Sequence, residues 1–484
     1  MEVETQPSDK ELPVTLSVTD LACTLQSVFT TEADDAARQS ELIIRRRKFS
    51  GAIFVQTLTF GWLANPHATL KHLAELAADL GASVSAQALD QRFTPCAARC
   101  LYTVLNSALL RLVEACPVAA PLLQRFNGVY VRDSSSITLP ACLAEILPGC
   151  GHGKPQIPSA GVKLHVGLEL LQGSLEKLSL QPATTSDHCC CGSEAPLPEG
   201  ALLLEDLGFF EALRLKHYDE QGCYVLSRAP TRLLIRAEGQ QQKNLVKFLA
   251  GVRADRVDCW VTIGRRGKTW RCRLIAARAP AEVVRKRVER AQKEARDSGR
   301  KLSAQKGAMC EWTVLLTNAP ATLLSVEEAL ALRRVRWQIE LLFRLWKDEG
   351  KIDEWGGNKP YRVLCELLAK LLGMVVQHWA TLLAGSPLEI SGVKAAQRIR
   401  LRARLLAVNL GSLAKLAQTL LVLQERVQRF ARKRGREDRP TTLEVVNQPQ
   451  RYGYLSAATA TQAKPPPQYR CEIPADIAKA VKAA

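Results

Sequence analysis

The chain has 484 residues, 47% hydrophobic and 24% charged, enough for several domains with real cores. Its 66 Lys and Arg outweigh 48 Asp and Glu, and the formal charge of +18 favours a polyanionic partner. Nucleic acid comes before membrane, because no uninterrupted apolar run reaches the roughly 18 to 20 residues a bilayer crossing needs and the longest, Gly51 to Leu63, is shorter.

The N-terminus is polar and acidic, without the basic flank and apolar stretch of a signal peptide, so a cytosolic protein is expected. The 15 cysteines are an odd number, scattered, with no Cys-x-x-Cys pair. Cys189, Cys190 and Cys191 beside His188 suggest zinc, but adjacent cysteines converge poorly on one tetrahedral ion, and reduced thiols are the expectation.

Residues 1–20 lack periodicity and are expected to be loose. The basic run Arg45-Arg46-Arg47-Lys48 leads into the apolar segment ending at Leu63. Asn65-Pro66 reads as a helix start, followed at helical spacing by Leu70, Leu73, Ala74, Ala77 and Leu80, and a second helix is expected from Ser85 to Phe93. This pair is compatible with a DNA-reading helix-turn-helix and equally with a plain packing unit.

From Gly128 to Val131 the chain reads as a buried strand ending at Asp133. Val162 to Leu171 and Leu175 to Leu180 form a hairpin pattern about Gln172-Gly173. Ala201 to Glu205 is another apolar strand, ended by Asp206, with a helix expected over Phe209 to His217. Two carboxylates thus stand at the ends of core strands, where α/β sheets gather reactive groups. Residues 221–278 alternate in short strand-like runs around a basic turn, Gly264 to Lys268. From Pro280 to Lys306 a polar helix or linker carries nine Lys or Arg from Arg285 onward against three acids, a solvated face or a surface for phosphates. Trp312 to Thr317 returns as a strand.

A helix is expected from near Leu332. At about 100° per residue, Arg333, Arg336, Glu340 and Lys347 share a narrow stripe, with Val335, Ile339, Leu342 and Trp346 on the apolar side. Three cations around one carboxylate suit a metal ion beside a phosphodiester; an amphipathic surface helix with intrahelical pairs such as Arg336 with Glu340 gives the same pattern. Helical periodicity continues to Leu383 and resumes from Val393 to Phe430. From Pro440 the chain is rich in Pro, Gln and Ala, and disorder is expected.

Phosphodiester chemistry without a covalent intermediate commonly uses two divalent ions held by a few carboxylates. Asp133 and Asp206 at strand ends and Glu340 on a helix supply that set, provided the fold returns distant segments to one place. At these residues the chain resembles the DDE transposases of the insertion-sequence-four group, over roughly residues 40–385. Asp133-Ser134-Ser135 matches the first motif, Asp206-Leu207-Gly208-Phe209-Phe210 the second, and Arg336, Glu340 and Lys347 the last three letters of Y-x2-R-x3-E-x6-K. Arg333 stands where that pattern has tyrosine.

The resemblance implies an α/β, RNase H-like catalytic core with a β-rich insertion and helical N-terminal and C-terminal regions. The implied organisation is a disordered stretch at 1–20, a helical DNA-end-binding domain at 21–120, core at 121–220 and 326–390, insertion at 221–325, a basic helical region at 391–440 and a flexible tail at 441–484. It implies two Mg²⁺ or Mn²⁺ ions on Asp133, Asp206 and Glu340, with Arg336 and Lys347 on phosphates and Arg333 beside them on the DNA. Trp312 occupies the place of a tryptophan that stacks a flipped base in hairpin-forming members; a core strand tryptophan explains it equally. The implied partners are double-stranded DNA, both terminal inverted repeats and target, and a second copy of the chain in a homodimeric DNA complex, with no membrane, in the bacterial cytoplasm near the nucleoid. Two rivals stay open: a DNA-binding regulator that has lost catalysis, prompted by Arg333, and a nuclease without strand transfer.

Overall fold

The computed structural model describes residues 16–44, 49–111, 113–150, 159–186, 196–265, 268–436 and 439–452. The basic run Arg45 to Lys48, the His188 to Cys191 cluster, the tip of the turn after Gly264, and the chain after Tyr452 lie outside the described residues.

Order starts within the stretch expected to be loose. The Ser17 side chain accepts from the Asp20 amide at 3.0 Å while Asp20 accepts from the Ser17 amide, and this capping box opens α1 (Val18–Ser27). A short π-helical stretch leads to α2 (Ala33–Gln39), and Ser50 caps α3 (Gly51–Ala64). Asn65 closes that helix instead of opening the next, its amide donating to the Gly61 carbonyl. The start is at Thr69, which caps α4 (Leu70–Asp79); Ser85 caps the shorter α5 (Ala86–Asp90), and Thr94 with Pro95 opens α6 (Pro95–Leu109).

A mixed sheet follows, built from β1 (Val129–Leu139), β2 (Ala160–Glu169), β3 (Leu175–Pro182) and β4 (Leu202–Glu205). Asp133 lies inside β1 rather than at its end. The reason is the antiparallel ladder to β2, which runs from Tyr130 to Leu139, whereas the parallel ladder to β4 stops at Val131 opposite Leu204. After β4 a single 3₁₀ turn precedes α7 (Ala212–Glu220), so this helix starts later than the apolar pattern at Phe209 suggests.

The strand-rich middle comprises β5 (Tyr224–Arg228), β6 (Leu234–Ala237), β7 (Lys243–Asn244), α8 (Leu245–Ala250), β8 (Arg256–Arg265), β9 (Lys268–Arg278), α9 (Ala281–Asp297), α10 (Ala304–Met309) and β10 (Trp312–Thr317). Its strands join the sheet of the core, in the order β3-β2-β1-β4-β5-β10-β9-β8-β6-β7 among the described residues. The stretch β3-β2-β1-β4-β5 has the RNase H-like pattern, and β10-β9-β8-β6-β7 extend the same sheet; β5, within the expected insertion at 221–325, pairs parallel with β4 and so continues the core strands.

Ser325 and Glu328 form another capping box, which opens α11 (Val326–Val335), and Arg125 grips Glu328 through both guanidinium nitrogens at 3.0 and 2.8 Å. The expected signature helix is two helices. Its pattern starts earlier, in α11, and is interrupted at Arg336, which closes α11 and precedes α12 (Trp337–Asp348). The apolar side is as the spacing predicts: Val335, Ile339, Leu342 and Trp346 are buried, and Trp346 meets Phe343 edge-on at 6.3 Å.

A loop then breaks the helical pattern before α13 (Pro360–Leu382), packed against α3 and α6. By length and composition this helix is long and apolar enough to cross a bilayer, but 94% of its apolar window is buried inside the fold, as in a core helix. Glu366 and Lys370, paired at 2.9 Å, and buried His378 interrupt its apolar run. The C-terminal region is α14 (Gly392–Arg400), α15 (Ala403–Asn409), α16 (Leu413–Phe430), α17 (Thr442–Asn447) and α18 (Pro449–Tyr452). Residues 442–452, within the stretch expected to be disordered, are docked on α11: Val445 and Tyr452 bury Ala331, and Arg334 donates to the Tyr452 carbonyl at 3.1 Å.

Candidate active site

Register places the first two carboxylates. Across the parallel strands Val131 pairs with Leu204 and Leu204 with Leu226, so Asp133, Asp206 and Arg228 each stand two residues further along, on one level of the sheet. Side chains two apart on a strand share a face. Arg228 Nη1 accordingly lies 3.3 Å from Asp206 Oδ1.

The third carboxylate arrives from α12, which packs on β1. Arg336, at the break between α11 and α12, reaches all three acids. Its Nη2 is 2.5 Å from Glu340 Oε1 and 3.8 Å from Asp206 Oδ2, and its Nη1 is 3.4 Å from Asp133 Oδ2. Lys347, further along α12, donates to the Ser136 carbonyl of β1 at 3.1 Å. Asp133, Asp206, Glu340, Arg336 and Lys347 are thus drawn together on the α12 side of the sheet around β1. The carboxylates keep 19 to 32% of their side-chain exposure, enough for a ligand to reach them.

Burial pushes the Asp133 carboxyl up to about 6, helped by the negative charges of Glu340 and Asp206; the Ser134 amide and Arg336 only partly oppose this. Burial acts the same way on Asp206, but Arg336, the Leu207 amide and Arg228 together hold its carboxyl below the usual value. The two aspartates therefore differ in how readily they shed a proton.

The donor set suits a hard divalent cation. Three carboxylates surround a positive charge, and Asp133 is held where a further cation would relieve it. As the side chains lie, no three acidic, imidazole or thiol groups among the described residues stand at metal-sharing distance, and Arg336 is the cation among them.

Arg333 is partly buried beside the same centre. Burial, with Arg228 and Arg287 nearby, lowers its guanidinium to about 9, and Asp206 opposes that change. Trp312 is a core residue of β10, 6% exposed and with Arg278 over its ring at 4.4 Å. Stacking on a base would require this ring to be uncovered. His165 is buried opposite Ser134, on the other face of the sheet from the three acids, beside a space of about 20 Å³, room for one water.

Arg228 and Arg287 do not stand out in the sequence as site residues. Arg228 ends an apolar strand much as Asp206 does, and that position was the available signal. Arg287, which donates to the Trp312 carbonyl and to Thr313 Oγ1, looks in sequence like its neighbours on a basic helix. Glu205, adjacent to Asp206, points to the other face as strand alternation requires, and pairs there with Arg214.

The three acids thus come from β1, from the residue directly after β4 and from α12. The chain belongs to the family described as Transposase DDE domain, which matches residues 128–375, from the start of β1 into α13 and just over half of the chain. It is 25% identical over 453 residues to the transposase for insertion sequence element IS231F of Bacillus thuringiensis subsp. israelensis, covering 87% of this chain and 94% of that protein. The IS231B transposase of Bacillus thuringiensis subsp. berliner is 22% identical over 445 residues, 85% and 91% of the two chains. The transposase of IS1151 from Clostridium perfringens is 23% identical over 377 residues, 71% and 76% of the two.

Proposed function

We propose that the chain is a DNA transposase that binds the terminal inverted repeats of an insertion sequence, cleaves phosphodiesters at their ends and joins the freed 3′ hydroxyls to target DNA. The observation that carries this reading is the convergence of Asp133, Asp206 and Glu340, from three distant segments, on one guanidinium. Asp133, Asp206 and Glu340 would hold two Mg²⁺ or Mn²⁺ ions, which when bound activate the attacking oxygen and stabilise the leaving one.

Arg336 then exchanges its carboxylate partners for a phosphate, to which its planar fork offers two parallel donors. Lys347 presents a mobile point charge to a neighbouring phosphate, a short distance along β1 from Asp133. Arg333 adds positive charge on the Asp206 side. One such site handles one DNA end, so joining two ends calls for a homodimer on DNA.

The test is Mg²⁺-dependent nicking of DNA carrying the repeats that flank this reading frame. Wild type should nick it, while Asp133→Asn and Glu340→Gln should bind the same DNA without cutting. Joining of a precut end to a plasmid distinguishes a transposase from a nuclease that stops after cleavage. A second reading, a DNA-binding regulator without catalysis, is favoured by Arg333 in the tyrosine position and by Arg336 among the carboxylates; binding with no nicking by wild type in Mg²⁺ or Mn²⁺ would select it.

A further inference from the structure

On the face of the sheet opposite the three acids, a buried chain of charged and aromatic side chains joins the two strands that carry the aspartates. It starts at Glu176 on β3. Arg132, the residue before Asp133, donates from Nε to Glu176 Oε2 at 3.0 Å and makes a second bond to Glu176 Oε1. The passage between them crosses β2 at Gly167, which pairs with Arg132; a Cβ there would fall 2.5 Å from Glu176 Oε2, so glycine keeps the route open.

Arg132 Nη1 also donates to the Tyr218 hydroxyl on α7 at 2.7 Å. The Arg214 guanidinium, one turn earlier on α7, sits 5.8 Å from the centre of the Tyr218 ring, an arrangement of cation over aromatic face. Arg214 Nη2 then donates to Glu205, the residue before Asp206, and to the Phe209 carbonyl at 2.7 Å. Arg132, Tyr218 and Glu205 are 5%, 6% and 2% exposed, so these groups depend on protein partners rather than on water.

Because neighbours on a strand face opposite ways, whatever fixes Arg132 and Glu205 fixes Asp133 and Asp206 on the other side. A buried charge tolerates little displacement from its partners, and α7 holds one partner for each strand. We propose that Arg132, Tyr218, Arg214 and Glu205 are positioning residues that set the separation of Asp133 and Asp206, and so the affinity of the site for a divalent cation. This inference rests on the reading of the two aspartates as metal ligands.

The experiment is calorimetric titration of Mn²⁺ into the full-length protein, with melting temperature and affinity for end DNA measured on the same preparations. Wild type, Asp133→Asn, Tyr218→Phe and Glu205→Gln are compared. Outer partners of metal ligands commonly govern about 10- to 100-fold in metal affinity, and a loss of about 10-fold is expected for Tyr218→Phe with DNA affinity unchanged. Glu205→Gln should lose more; should it not fold, Tyr218→Phe decides alone, since it removes one oxygen and keeps the ring. Folded variants that bind Mn²⁺ as wild type does would overturn the inference, with any fall confined to melting temperature marking an ordinary structural contact. If Asp133→Asn itself binds Mn²⁺ like wild type, the metal reading of the site fails instead, and the two failures are told apart.

Discussion

Arg336 and Asp133, 203 residues apart in the chain, meet at 3.4 Å between Nη1 and Oδ2. The same guanidinium contacts Glu340 and approaches Asp206, so one cation compensates three acids that would otherwise repel one another. A fixed positive charge therefore occupies the place where the proposed reading puts divalent ions, and the two should compete.

Competition has a measurable consequence. Arg336→Gln should destabilise the metal-free protein by about 1 to 2 kcal/mol, below the 3 to 5 of a fully buried broken pair because the acids are partly solvated. Mg²⁺ or Mn²⁺ should raise the melting temperature of this variant by more than that of wild type. Equal metal-induced shifts would separate Arg336 from the metal site.

The Asp133 carboxyl gives a pH dependence. Its folded pKa, about 6, lies above the ordinary 3.8, so its contribution to stability is fully present below about 3.8 and is lost as pH rises through about 6. In chelator-treated protein at pH 7.5, Asp133→Asn should be more stable than wild type by up to about 3 kcal/mol, with the difference shrinking toward pH 4. Denaturant melts at the two pH values check this. Divalent-ion affinity of wild type should also fall below pH 6, since a protonated acid is a poor ligand.

Loss of a ligand should show in chemistry before binding. Asp206→Asn and Glu340→Gln are expected to lower the nicking rate by at least about 10²- to 10³-fold, the scale on which preorganised charge stabilisation acts. Gel-shift affinity for the same DNA should stay within a few fold. A parallel loss of binding would point to a damaged fold.

Arg333 and Trp312 make opposite predictions. Arg333→Gln relieves a partly buried cation near Arg228 and Arg287, so stability should hold or rise while the salt dependence of DNA binding becomes shallower by about one unit of slope. Trp312→Ala should cost about 3 to 5 kcal/mol of stability, the scale of emptying a buried tryptophan site. Urea denaturation and binding titrations across salt concentrations separate the two.

Much of this centre was legible in the chain. The apolar spacing of Ile339, Leu342 and Trp346 gives the docked face of α12, and two apolar runs ending near Asp133 and Asp206 give their strands. The break at Arg336 was not legible, because Arg336 is an ordinary helix former and its turn geometry accompanies non-local contacts with Asp133 and Asp206. Arg228 was hidden for a related reason: its level on the sheet follows from pairing with β4, and register is a property of partner strands. The docking of residues 442–452 on α11 likewise depends on a distant surface, Ala331 and Arg334, that their own composition does not announce.

Anomalous diffraction from crystals of the protein with end DNA and Mn²⁺ tests the central claim most directly. Mn²⁺ peaks within about 2.0 to 2.3 Å of Asp133, Asp206 and Glu340 oxygens, with Arg336 moved onto a phosphate, are the expected result. Arg336 still bridging the three carboxylates on bound DNA, with no Mn²⁺ peak between them, would contradict it.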